Sequence, residues 1–168
     1  AHEHGVAQMN LTIVKNDVLI EIKSPLYNVI GFEHKPKNDK QRNSLKQQIK
    51  TINNAKLVQL NSSAQCSLVE LNLVHPFHHS EQHDEMQHQH KDSHNHEPEH
   101  EHHKHTAHKD MSFEYQLRCD YPEKITTVNA QALFNAWPNL KNLRSEWIFQ
   151  NKQSAANLTP ENTSVNFD

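Results

Sequence analysis

At 168 residues the chain has room for one domain with a substantial core. Only 34% of it is apolar and its mean hydropathy is -0.93, so part of it does not join a packed interior. A formal net charge of -3, with no block of lysines or arginines, excludes the electrostatic footprint of a nucleic-acid binder, and no apolar run is long enough to insert in a membrane as a helix.

The chain begins Ala1-His2-Glu3-His4 without an initiator methionine, as expected of a mature terminus left by signal-peptide removal, which points to an exported protein. Met9, Leu11 and Ile13 alternate with Gln8, Asn10 and Thr12, and after Lys15-Asn16-Asp17 the alternation resumes with Val18, Ile20 and Ile22. This pattern predicts a β-hairpin. Ser24-Pro25 predicts a helix N-cap with proline at the first helical position, and Gly31 a left-handed end to that short turn. Leu45, Ile49 and Ile52 recur at spacings of four and three through 38–53, the stripe of an amphipathic helix lying on a sheet, stopped at Asn53-Asn54.

Strands are expected over 56–60, 65–74, 111–119 and 124–128. Asn129 stands where it would cap a helix carrying Leu133, Phe134 and Trp137 and halted by Pro138, with late strands over 143–150 and 164–167. Phe134, Trp137, Trp147 and Phe149 read as core. Helices interleaved with antiparallel hairpins give an α+β class: an antiparallel sheet flanked by helices, an α/β sandwich. The expectation is a single domain over 1–168, interrupted at 75–110 by a long, disordered, His-rich loop whose length without structure marks it as functional.

Cys66 and Cys119 are the only cysteines. If 66–74 and 111–119 pair antiparallel with Val74 opposite Met111, Cys66 falls opposite Cys119, and a non-hydrogen-bonded pair with Cα atoms about 4.5 Å apart is within reach of a disulfide. In that register Val69, Leu71 and Leu73 share the opposite face, which leaves room for a bulge or a one-residue slip. Two buried free thiols are the alternative. So few cysteines beside 16 histidines fits an oxidising compartment, the periplasm, where imidazole is the practical ligand for a metal.

Of the 16 histidines, 13 lie in one stretch: His75, His78, His79, His83, His88, His90, His94, His96, His100, His102, His103, His105 and His108. An uncharged imidazole offers a lone pair to a borderline-soft divalent ion, and a reference pKa near 6.5 keeps most of them uncharged at neutral pH. His-x-His pairs at 88/90, 94/96, 100/102 and 103/105 allow two neighbouring pairs to surround one tetrahedral zinc, and the whole set suffices for about three Zn(II) ions at four imidazoles each. Eight carboxylates and three lysines leave 75–110 at -5, which attracts cations and supplies partners for imidazole N–H groups. A smaller candidate set is His2 and His4 with Glu33 and His34. Nothing marks an enzyme: G-x-S-x-G and H-E-x-x-H are missing, and two glycines cannot build a phosphate cradle.

His2-Glu3-His4-Gly5, the run from Ser24-Pro25-Leu26-Tyr27-Asn28 through Gly31-Phe32-Glu33-His34, Ala64-x-Cys66, Phe113-x-Tyr115-x-x-x-Cys119-x-x-Pro122, and Leu133-Phe134 ahead of Trp137-Pro138 follow one another in an order that resembles the ZrgA-like family of zinc-regulated periplasmic proteins. The resemblance covers nearly the whole chain outside the loop. It implies a periplasmic zinc-binding protein that accompanies a zinc ABC transporter or its solute-binding component, with Cys66 and Cys119 in a disulfide. The expected function is capture of Zn(II) by the flexible loop of a monomer, in support of zinc uptake. Buffering of excess zinc, copper or nickel, and a pH-responsive interaction module without a metal role, are the alternatives.

Overall fold

The computed structural model describes residues 3–77 and 109–167. The alternating start of the chain forms β1 (Val6–Val14) and β2 (Asp17–Pro25), a hairpin turned at Lys15, which takes a left-handed φ of 53°. The short helix α1 (Leu26–Ile30) ends as expected, Gly31 adopting φ 81° and donating its N–H to the Tyr27 carbonyl at 2.8 Å. Its start differs. Pro25 is the extended N-cap residue and not the first helical residue, because Ser24 belongs to β2 and its hydroxyl bonds the Pro25 carbonyl instead of a helix N–H.

α2 (Asp39–Asn53) opens on Asn38, whose side-chain oxygen accepts the Gln41 N–H, and buries Leu45 and Ile52. After it come β3 (Gln59–Leu60), β4 (Cys66–Val74), β5 (Asp110–Cys119), β6 (Thr127–Asn129), α3 (Gln131–Ala136), β7 (Asn142–Phe149), β8 (Lys152–Leu158) and β9 (Ser164–Asn166). Two expected strands are shorter than their patterns. Leu57 and Val58 are buried outside β3, and a 3-10 turn at Pro122–Lys124 occupies the start of the region assigned to β6. The α3 cap is displaced by one residue to Ala130, although the Asn129 side chain still accepts the Gln131 N–H at 2.8 Å.

Six strands form one sheet in the order β4-β5-β2-β1-β7-β8, and β3, β6 and β9 form a second. Every neighbour in the large sheet is antiparallel except β1 and β7, which run parallel. The sheet is therefore mainly antiparallel, as expected, and the one parallel pair has its cause in a non-local bond. The N–H groups of Lys141 and Asn142 both donate to the Gly5 carbonyl, at 2.8 and 2.9 Å, so β7 starts beside the start of β1 and must run with it. β8 was not expected at all, since Lys-Gln-Ser-Ala-Ala-Asn-Leu has no apolar alternation and buries only Leu158 at an edge.

One face of the large sheet carries the core. Met9, Leu11, Ile20, Ile22, Met111 and Tyr115 are buried there, each contributing roughly 1.5–3 kcal/mol of hydrophobic stabilisation. The helices close over it: the Tyr115 hydroxyl donates to the Ile52 carbonyl at 2.9 Å, Phe113 meets the edge of Trp137, and Trp137 Nε1 donates to Gln48 Oε1 of α2. Phe134 and Trp137 are core, as expected, while Trp147 and Phe149 are partly buried against Phe167.

Cys66 stands opposite Cys119 and the two form a disulfide, with Cα atoms 3.9 Å apart. The register then slips by one residue between Leu68 and Glu70, so that Val74 faces Ser112 and not Met111. The bulge has a simple cause. Strand parity cannot place Cys66 and Leu71 on one face without an extra residue, and exposed Val69 is where it is inserted; Leu71 and Leu73 then pack on the core with Tyr115 and Phe113 as their partners.

Candidate metal centre

The His-rich stretch leaves and re-enters the fold at one end of the large sheet. Asp110, the first residue of β5, pairs with Pro25, the last of β2, and the Leu26 N–H donates to the Lys109 carbonyl at 2.7 Å. The Lys109 ammonium lies 4.7 Å from the ring centroid of buried Phe77, so the outgoing and returning chains are clasped to each other. Lys23 and Asp110 add an ion pair at 3.1 Å. These contacts anchor both stems of the stretch to the β2–α1 junction.

A second group of candidate ligands is assembled at the same junction. Both glycines of the chain are used here: Gly5 at φ 85° turns the chain into β1, and Gly31 at φ 81° turns it out of α1 towards Glu33. Buried Asn28 fixes the first turn, accepting the Gly5 N–H at 2.7 Å and donating to the Val6 carbonyl at 2.9 Å and the Ser24 hydroxyl at 3.1 Å. Asn139 holds α1 from the other side through the Tyr27 carbonyl. Between these fixed points, His4 Nε2 meets Glu33 Oε1 at 3.1 Å, and the imidazole stacks on Tyr27 with centroids 4.3 Å apart and planes 15° from parallel. Facing a carboxylate, that nitrogen carries the proton and donates it.

The other two described histidines are held differently. His34 stacks on Phe32, and its Nδ1 faces the Lys35 carbonyl at 2.9 Å; a carbonyl only accepts, so the proton sits on Nδ1, the tautomer of a histidine that ligates through Nε2. In His75 the Nδ1 lone pair accepts the Phe77 N–H at 3.3 Å, which commits that nitrogen to the stem. Glu3 is drawn into an ion pair with Arg144 at 3.2 Å. Among the described residues no group of three or more His, Cys, Asp or Glu gathers about one point. The structure thus brings His4 and Glu33 together and does not add His34 to them. His2 and the histidines at 78, 79, 83, 88, 90, 94, 96, 100, 102, 103, 105 and 108 lie outside the described residues.

The model of the family described as ZrgA family zinc uptake protein matches residues 1–167. The chain belongs to the ZrgA family. No curated protein matches it. Tyr27 and Asn28, beside the His4–Glu33 pair, are residues that patterning left without a role. Their signal was present in the Ser-Pro-x-x-Asn run: a polar side chain inside an otherwise apolar short helix must find internal partners once buried. No described helix of the ZrgA chain is long and apolar enough to cross a membrane.

Proposed function

We propose that the protein captures Zn(II) in the periplasm through the histidines of 75–108 and supports zinc uptake by passing the ion to an ABC transporter or its solute-binding component. The observation that carries this reading is the concentration of 13 histidines in a stretch whose two stems are clasped at one end of the sheet. The family's zinc uptake description supports it, and the Cys66–Cys119 disulfide suits an oxidising compartment. The folded part serves as one domain that presents the ligands.

Capture and release both follow from ordering cost. Side chains drawn from one stretch lose conformational freedom as they coordinate an ion, which takes free energy from coordination and keeps the affinity moderate, as hand-over requires. The carboxylates raise the local cation concentration and accept from imidazole N–H groups.

Calorimetric titration of the oxidised chain with Zn(II) at neutral pH tests the reading, beside a version lacking 78–108. Those ends keep Phe77 and Lys109, so the stems remain clasped and the near-UV aromatic signal is retained. Most of the zinc heat disappears with the deletion. Retention of all of it would move capture to the folded part, and no heat from the intact chain would end the proposal.

A further inference from the structure

We propose that the chain self-associates, against the expectation of a monomer, by setting the edge strand β4 of one copy antiparallel to β4 of a second, so that the large sheet runs unbroken through both. The inference does not depend on zinc capture.

The two edges of the large sheet are built differently. β8 opens with Lys152 and is polar over most of its length, a common protection for a strand that stays unpaired. β4 has a single charge, Glu70, and neither proline nor glycine, and its Leu68, Val69 and Val74 are exposed at 44%, 64% and 65%. Its first half is blunted by the bulge at Val69. The stretch 70–74 is regular, and among the described residues β5 is its one strand neighbour.

The outward hydrogen-bonding groups of that stretch follow from the ladder. The Cys119 N–H donates to the Asn16 carbonyl, on the β2 side of β5. Residues of an antiparallel strand turn to their two neighbours alternately, so Leu117, Tyr115 and Phe113 also serve β2, while Gln116, Glu114 and Ser112 serve β4. Opposite these three stand Glu70, Asn72 and Val74. Leu71 and Leu73 therefore turn their N–H and carbonyl groups to the open edge. A second copy with Asn72 on the two-fold axis brings Leu71 opposite the partner's Leu73, and each such pair exchanges both of its hydrogen bonds. An axis at Leu71 would instead oppose Leu73 to Val69 at the bulge, and an axis at Leu73 would oppose Leu71 to a residue beyond the strand's end.

The side chains suit the same register. Leu71 and Leu73, partly buried at the margin of the core, meet the partner's Leu73 and Leu71 on the core face. On the other face Asn72 meets the partner's Asn72, each amide offering a donor and an acceptor. Glu70 falls opposite the partner's Val74, so the one charge of the strand meets no like charge. The contact is small, below about 1,200 Å², which sets a weak and reversible dimer.

Sedimentation equilibrium of the oxidised full-length chain in EDTA, from about 10 µM to about 1 mM to suit so small an interface, gives the dimer constant free of bridging metal. Val74→Glu sets an acid against Glu70 on both sides of the axis and weakens dimerisation about tenfold; Val74→Lys tightens it, and Glu70→Lys added to Val74→Glu restores it. Val74 is exposed, so each variant keeps the near-UV spectrum of the folded chain. A chain that is monomeric throughout leaves β4 to a strand of another protein and overturns the proposal, as does a dimer that both substitutions of Val74 change alike.

Discussion

The side-chain carbonyl of Asn28 accepts the backbone N–H of Gly5 at 2.7 Å, tying the entry of β1 to α1 across 23 residues of sequence. Asn28 is fully buried, and its amide also serves Val6 and Ser24. Asn28→Ala removes the partner of the Gly5 N–H, one donor to the Val6 carbonyl and one of the two bonds of the Ser24 hydroxyl, so the expected loss is about 2–3 kcal/mol. Urea unfolding measures it, and a loss below about 0.5 kcal/mol, the range of an ordinary surface change, would show that the clasp is not structural.

Gly31 ends α1 with φ 81°, and a Cβ there would come no nearer than 3.8 Å to the Asn139 amide. Space is therefore not the constraint; the left-handed backbone is. Gly31→Ala is expected to cost about 1 kcal/mol and lower the thermal midpoint by a few degrees. An unchanged midpoint would mean that the turn relaxes without loss.

The Cys66–Cys119 bridge closes a loop spanning 53 residues, which contains the whole His-rich stretch. Chain-entropy reasoning gives it about 4 kcal/mol of stabilisation, exerted through the unfolded chain. Replacing both cysteines with serine lowers stability by up to that amount while zinc uptake by the folded protein is kept, since no ligand is removed. Denaturant titration with a parallel zinc measurement checks both halves, and loss of zinc uptake in folded protein would tie the bridge to binding.

Burial pushes the Tyr115 phenol well above its ordinary value of 10.0, and a backbone hydrogen bond at Leu57 only partly offsets this. Above about pH 10 the unfolded chain therefore releases a proton that the folded chain keeps, and unfolding is favoured. Tyr115 makes its full contribution below pH 10 and loses it as the pH rises further, by up to about 1.4 kcal/mol per pH unit. Unfolding free energies between pH 9 and pH 11, compared with those of Tyr115→Phe, isolate the effect; equal slopes would contradict it.

What was legible in the sequence was whatever depends on near neighbours. Alternation gave β1, β2 and β5, spacing gave α2, and the opposition of Cys66 and Cys119 followed from counting along two strands. The parity conflict between Cys66 and Leu71 left a bulge and a one-residue slip both open, and only the structure places a bulge at Val69. Contacts between distant segments were not legible. The parallel β1–β7 pair hangs on the Gly5 carbonyl meeting Lys141 and Asn142, and β8 is defined by its neighbour, not by its own residues. At the candidate site, residue types named His4, Glu33 and His34 together, but which two converge is decided by turns at Gly5 and Gly31.

The most direct test of zinc capture is a count of bound Zn(II) by equilibrium dialysis at pH 7, comparing the intact chain with one whose twelve histidines between 78 and 108 are all glutamine. Capture by the stretch predicts about three ions on the intact chain and no more than one on the substituted chain. An equal count on both would contradict it.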